Sequence, residues 1–123
     1  MARVWRLRQR GEFERVRQNG RAWPHRFFIL IVQPRAVGPA GPARIGVAAG
    51  KRLGSAVLRN RIKRKIRAAT QQVYMNIADN VDLIVIARAP IADASVAELA
   101  AALTTQLQRA QVWRDAHRPD QTA

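Results

Sequence analysis

The sequence predicts an α+β fold, a single-domain α/β sandwich around a small mixed sheet spanning residues 1–123, and three observations carry that expectation. Two short apolar runs, RFFILIV (residues 26–32) and DLIVIAR (residues 82–88), are rich in β-branched and aromatic residues and too brief to be helices of their own. From about Ala56 to about Ile77 apolar residues recur at helical spacing, with Leu58, Ile62, Ile66, Ala69, Val73 and Ile77 on one narrow stripe. Ser95-Val-Ala-Glu98 is a capping box opening a last helix that carries Leu99, Leu103, Leu107 and Ala110 on one face.

In chain order, GEFERVRQNG (Gly11–Gly20) reads as a short helix with Phe13 and Val16 on one side and Asn19-Gly20 as its stop. The strand at residues 26–32 follows, then a loop, QPRAVGPAGPA, punctuated by three prolines and two glycines. RIGVAAGKRLG (Arg44–Gly54) alternates Ile45 and Val47 with Gly46 and Ala48, a strand with one bare face. After the long helix comes the strand at residues 82–88, a break at Pro90 and the last helix; from Trp113 onward the chain reads as a polar, frayed tail. The order is α-β-β-(β)-α-β-α. If the strands flanking the long helix are parallel, general base rates favour a right-handed crossover between them.

Charge narrows the function. The chain holds 22 basic and 8 acidic residues, a formal net charge of +14. Between Glu14 and Asp79 there is no acid, while fourteen basic residues lie from Arg15 to Arg67. Most of them are arginine, whose planar fork suits phosphate recognition. A polyanion is the expected partner. No apolar run approaches the ~20 residues of a membrane span. The arginines scattered through MARVWRLRQRGEFER interrupt any signal-peptide core, so a cytoplasmic location without membrane attachment is expected. With no cysteine, disulfides and thiolate metal sites are excluded.

Nothing in the sequence reads as catalytic. Of the two histidines, His25 before a strand has no acid nearby, and His117 lies in the tail, where a lone histidine is an ordinary surface residue. The acids lie near the two ends, against a paired-carboxylate metal site. Gly46-Val-Ala-Ala-Gly50-Lys51-Arg52 only superficially suggests a phosphate loop, because the glycine spacing is one short and Arg52 stands where Ser or Thr would hold magnesium. No protein-bound cofactor is expected.

Two surfaces suit binding instead. Arg59, Asn60, Arg61, Lys63, Arg64 and Arg67 lie away from the apolar stripe of the long helix, and like charges at i,i+4 each cost a few tenths of a kcal/mol without an outside partner. The strand at residues 26–32 is apolar on both faces, Phe28, Leu30 and Val32 on one and Phe27, Ile29 and Ile31 on the other. Either both faces are buried, the commoner arrangement, or one is a partly open floor for unstacked bases beside the small residues Gly46, Ala48 and Gly50. Composition alone fits a ribosomal or nucleoid protein equally well.

The run Arg59-Asn60-Arg61-Ile62-Lys63-Arg64-Lys65-Ile66-Arg67, with Gly50-Lys51-Arg52-Leu53-Gly54 before it and Ile86-Ala87-Arg88-Ala89-Pro90 after it, resembles the bacterial ribonuclease P protein family over about residues 8–112, with residues 113–123 as a tail. The resemblance implies an RNA-binding subunit that assists a catalytic RNA in cutting the 5′ leader from precursor tRNA, the RNA performing a magnesium-dependent hydrolysis. It implies that Lys51, Arg52, Arg59, Asn60, Arg61, Lys63, Arg64 and Arg67 meet the catalytic RNA. Phe13, Arg17, Ile29 and Ile31 then line a cleft for the leader, with Arg17 and Ile31 standing where some relatives have aromatic residues. It also implies a left-handed crossover through the basic helix, against the base rate.

Overall fold

The computed structural model describes residues 6–7, 9–35 and 40–115. Its elements are α1 (Arg10–Asn19), β1 (Arg21–Pro24), β2 (Phe28–Pro34), β3 (Arg44–Ala48), α2 (Ala56–Val73), β4 (Val81–Ala87) and α3 (Val96–Arg109). The strands form one sheet in the order β1-β2-β4-β3. β1 and β4 each pair antiparallel with β2, whereas β3 pairs parallel with β4 and is joined to it through α2. Three strands precede α2, as the expected order allowed, but the third is β1, ahead of β2, and not a second strand within Arg44–Gly54.

Side-chain alternation divides the sheet between two cores. Phe28, Leu30, Val32, Ile45, Leu83 and Val85 face the larger one, closed by Ile62, Ile66, Ala69 and Val73 of α2 and by Leu99, Leu103 and Leu107 of α3. On the other face Ile31 and Ile84 are buried with Val16 of α1 and with Leu7, and Phe13, Ile29 and Ile86 pack at the margin. β2 is apolar on both faces because both are covered, though only partly at one end. Phe27 departs from the expected alternation: it precedes the strand and packs against the larger core.

The helix termini follow their local chemistry. Ser55 caps α2 by accepting from the Leu58 N–H at 3.1 Å, and the Ser95–Glu98 capping box at α3 is complete. α2 ends at Val73, short of the expected Ile77, and a 3₁₀ turn over Tyr74–Asn76 follows. The strand expected over Arg44–Gly54 stops at Ala48, before a 3₁₀ turn over Lys51–Leu53. The frayed tail expected from Trp113 is corrected for its first residues. Trp113 bridges Ile77, and the Arg114 N–H donates to the Asn76 carbonyl at 2.7 Å. His117 and the remaining tail, like residues 36–39 of the proline-rich loop, lie outside the described residues.

β1 is an edge strand of four residues ending in proline, and contacts from elsewhere in the chain hold it. The Gln106 amide of α3, itself buried, donates to the carbonyls of Trp23 (3.1 Å) and Pro24 (2.7 Å). Gly20 makes the turn from α1 into β1, where an added Cβ would lie 2.6 Å from both the Ile31 Cγ2 and the Val16 carbonyl oxygen.

Candidate nucleic-acid interface

α2 displays its cations in two ranks. Asn60, Arg61 and Arg64 are exposed on the outward side, while Arg59, Lys63 and Arg67 form a half-buried row one face over. Of the residues expected away from the apolar stripe, Arg59, Lys63 and Arg67 are thus partly covered, because α2 packs against α3 as well as the sheet. The Arg59 Nε donates to the Gly54 carbonyl at 3.3 Å, which fixes that side chain near the start of the helix. Lys51 and Arg52 are exposed on the 3₁₀ turn just before it. Among the described residues none of these cations has an ion-pair partner. Burial, reinforced by the nearby charge of Arg6, holds the Arg67 guanidinium below its usual value. A surface that gathers cations without acids is suited to successive phosphates. Val57, 66% exposed at the first turn, adds an apolar patch on that side.

Lys65 sits within the same basic run and does something else. Its ammonium donates to three backbone carbonyls, of Ile91 (3.3 Å), Ala92 (3.0 Å) and Ala94 (2.7 Å), around the 3₁₀ turn between β4 and α3. Lys65 is a structural clamp, and one cation of the run is spent inside the fold.

The second surface lies between α1 and the sheet. Phe13 rests on β3 where residue 46 is glycine: a Cβ there would come within 2.9 Å of the Phe13 ring. Ile29, Ile86 and Ala48 are cross-strand neighbours in one row on this side of the sheet, and all three are only half-buried. Phe13 and Arg17, one helical turn apart, share the flank of α1, and the Arg17 side chain is exposed beside Glu14, 3.6 Å away. Ile31 belongs to the covered part: it is 6% exposed under Val16, so it lies beneath α1 as packing. Phe13, Arg17 and Ile29 thus border the partly open strip, and Ile31 supports it from below.

The other flank of α1 is closed by charge. Asp82, the first polar residue of the otherwise apolar β4, is fully buried and receives three guanidiniums. Arg15 of α1 reaches it at 2.8 Å and Arg35, just after β2, at 3.2 Å, while Arg44 of β3 grips it side-on at 3.0 and 2.9 Å. Arg44 also pairs with Glu12 of α1. The hydrogen bond to Asp82, ahead of smaller contributions, raises the Arg44 guanidinium further above its usual value. Sequence reasoning missed this cluster. The available signal was a lone carboxylate heading a buried strand, where an unpaired charge is prohibitively costly.

The fold and these surfaces define a class: a small α+β nucleic-acid-binding protein that presents an arginine-rich helix and a partly open sheet-and-helix strip. Comparison with known proteins makes it particular. The profile of the family described as Ribonuclease P matches residues 1–111. The ribonuclease P protein component of Herpetosiphon aurantiacus is 41% identical over 121 residues, covering 98% of this chain and 96% of that protein. That of Geobacillus kaustophilus is 34% identical over the full length of both. The structure of the Staphylococcus aureus RNase P protein aligns with a TM-score of 0.74 at 31% identity, over 89% of this chain and 98% of that one. The Thermotoga maritima protein, 22% identical, shares the fold with a TM-score of 0.73 over 85% of this chain and 96% of that one. This chain belongs to the ribonuclease P protein family, the subunit that helps ribonuclease P RNA remove the 5′ leader from precursor tRNA. It is the protein component of an endoribonuclease holoenzyme, and its partner is the ribonuclease P RNA.

Proposed function

We propose that the outward side of α2, with the turn before it, is where this protein holds the catalytic RNA, and that the strip beside α1 receives the precursor's 5′ leader. In this reading Lys51, Arg52, Arg59, Arg61, Lys63, Arg64 and Arg67 contact phosphates, and Asn60 reaches a sugar or base edge. The observation that carries it is an exposed helix face rich in cations, none with an acid partner among the described residues. Phe13 supplies a ring for stacking, Ile29 an apolar floor and Arg17 a phosphate contact, with Ile31 holding the floor in place. Catalysis rests with the RNA, and magnesium with the RNA too. Among the described residues no three acids or histidines converge to hold a metal, and the buried Asp82 carboxylate is already taken by three arginines. No helix among the described residues is long and apolar enough to cross a membrane, and the cytoplasm is the compartment that fits this partner.

The experiment is reconstitution with a bacterial ribonuclease P RNA at low magnesium, following precursor-tRNA cleavage. The protein should accelerate leader removal by the RNA and cut nothing alone. Phe13→Ala should weaken binding of leader-bearing tRNA more than of mature tRNA, a stacked base being worth about 1–3 kcal/mol. Equal losses for both tRNAs would make Phe13 packing only.

A further inference from the structure

α1 is a weak helix by its own resources. It has no side-chain cap at Gln9, and Val16 is its one buried residue. Ten residues of isolated helix would not persist in water. What fastens it is a small apolar contact through Val16 and Phe13 together with the ionic cluster on its opposite flank. That cluster joins four elements at one carboxylate: α1 through Arg15, the end of β2 through Arg35, β3 through Arg44, and β4, which carries Asp82. Glu12 gives α1 a second tie to Arg44. Both ties lie on the side of the helix away from the strip bordered by Phe13 and Arg17, which they do not touch.

We propose that Asp82 is a positioning residue for the leader: by gathering Arg15 and Arg44 it fixes how α1 sits over the sheet, and so the width of the strip beside Phe13. The inference rests on the leader reading above. Charge-assisted hydrogen bonds of good geometry constrain direction as well as distance, whereas the few apolar contacts of α1 allow it to slide. Asp82 itself is buried beneath the helix and never meets RNA.

The test uses the reconstituted holoenzyme with Arg15→Met, which cuts the Arg15 tie while leaving Arg35 and Arg44 on Asp82, and with Arg15→Lys, which can restore one bond to the carboxylate. Arg15→Met should lower hydrogen-exchange protection of the α1 amides and leave that of α2 unchanged. It should reduce the preference for leader-bearing over mature tRNA by roughly tenfold, less than the ~100-fold that a 1 Å misplacement can cost. Affinity for the catalytic RNA should stay at the wild-type level, and Arg15→Lys should recover part of the preference. Unchanged α1 protection in Arg15→Met would overturn the inference, because the direct Asp82–Arg15 tie would not be what holds the helix. Lowered protection with full leader preference would also overturn it, because the helix position would not matter to the leader. Phe13→Ala is measured alongside. If it shows leader-selective loss and Arg15→Met does not, only the positioning role falls; if it shows none, the leader reading falls and this inference with it.

Discussion

Beneath α1, three arginines converge on one buried carboxylate; along α2, five cations face solvent or lie half-buried with no acid partner among the described residues. The residue types are the same and their employment is opposite. Arg15, Arg35 and Arg44 offset the cost of burying Asp82, whereas Arg61 and Arg64 are exposed and have no ion-pair partner among the described residues. Net charge therefore overstates the binding surface. Of the cations in the middle of the chain, Arg15, Arg35, Arg44 and Lys65 are engaged within the fold, while those of α2 without an acid partner among the described residues remain open to an outside one.

The contrast breaks most sharply at Asp82. Asp82→Asn leaves three guanidiniums around a neutral amide, and losing one partner of a buried ionic cluster costs about 3–5 kcal/mol. Arg61→Ala, on the exposed side, should change stability by no more than about 0.5 kcal/mol. Denaturant unfolding of the two variants measures both, and equal destabilisation would erase the distinction.

A sharper version stays within a single helix. Lys65 and Arg64 are neighbours in sequence, yet Lys65→Met deprives three carbonyls of their donor and should cost about 1–3 kcal/mol. Arg64→Ala should leave unfolding unchanged and weaken RNA binding. The reverse pattern would place the clamp and the contact the wrong way round.

The smallest effect concerns pH. His25 stacks on Phe28 with ring centroids 5.1 Å apart, and its Nδ1 accepts from the Phe27 N–H at 3.0 Å. Burial, then the charges of Arg109 and Arg26, hold the imidazole below its ordinary value of 6.5. Because the folded-state value is the lower one, this contribution is present above about pH 6.5 and is lost as pH falls through the folded value. The melting temperature of the wild type should therefore drop more between pH 7.5 and 5 than that of His25→Gln. Parallel curves would remove His25 from the account.

Much of this was legible in the sequence, and the limits have physical causes. The apolar stripe of α2 and the Ser95 capping box are local patterns; the capping box formed as expected, and the stripe formed from Leu58 to Val73, with Ile77 beyond the helix end. β1 was not legible, because Arg21-Ala-Trp-Pro24 has no strand signature and is held by Gln106, far along the chain. The basic face was legible by helical spacing, which left Lys65 out of it, but the three carbonyls that Lys65 holds were not. They depend on where the turn at Ala89–Asp93 folds back against α2. The Asp82 cluster was hidden for the same reason: its members are as many as 67 positions apart. Arg17 and Phe13 could be paired on one flank by helical spacing, whereas the burial of Ile31 beneath Val16 required the docking of α1.

The central claim, that α2 meets RNA through unpaired cations, is tested most directly by the salt dependence of binding to ribonuclease P RNA for the wild type and for Arg61→Ala/Arg64→Ala. Both residues are exposed and neither has an ion-pair partner among the described residues, so the double variant should fold as the wild type does. Its affinity should fall, and the slope of log affinity against log salt should become shallower by roughly two units, one for each lost phosphate contact. An unchanged affinity and slope would contradict the account.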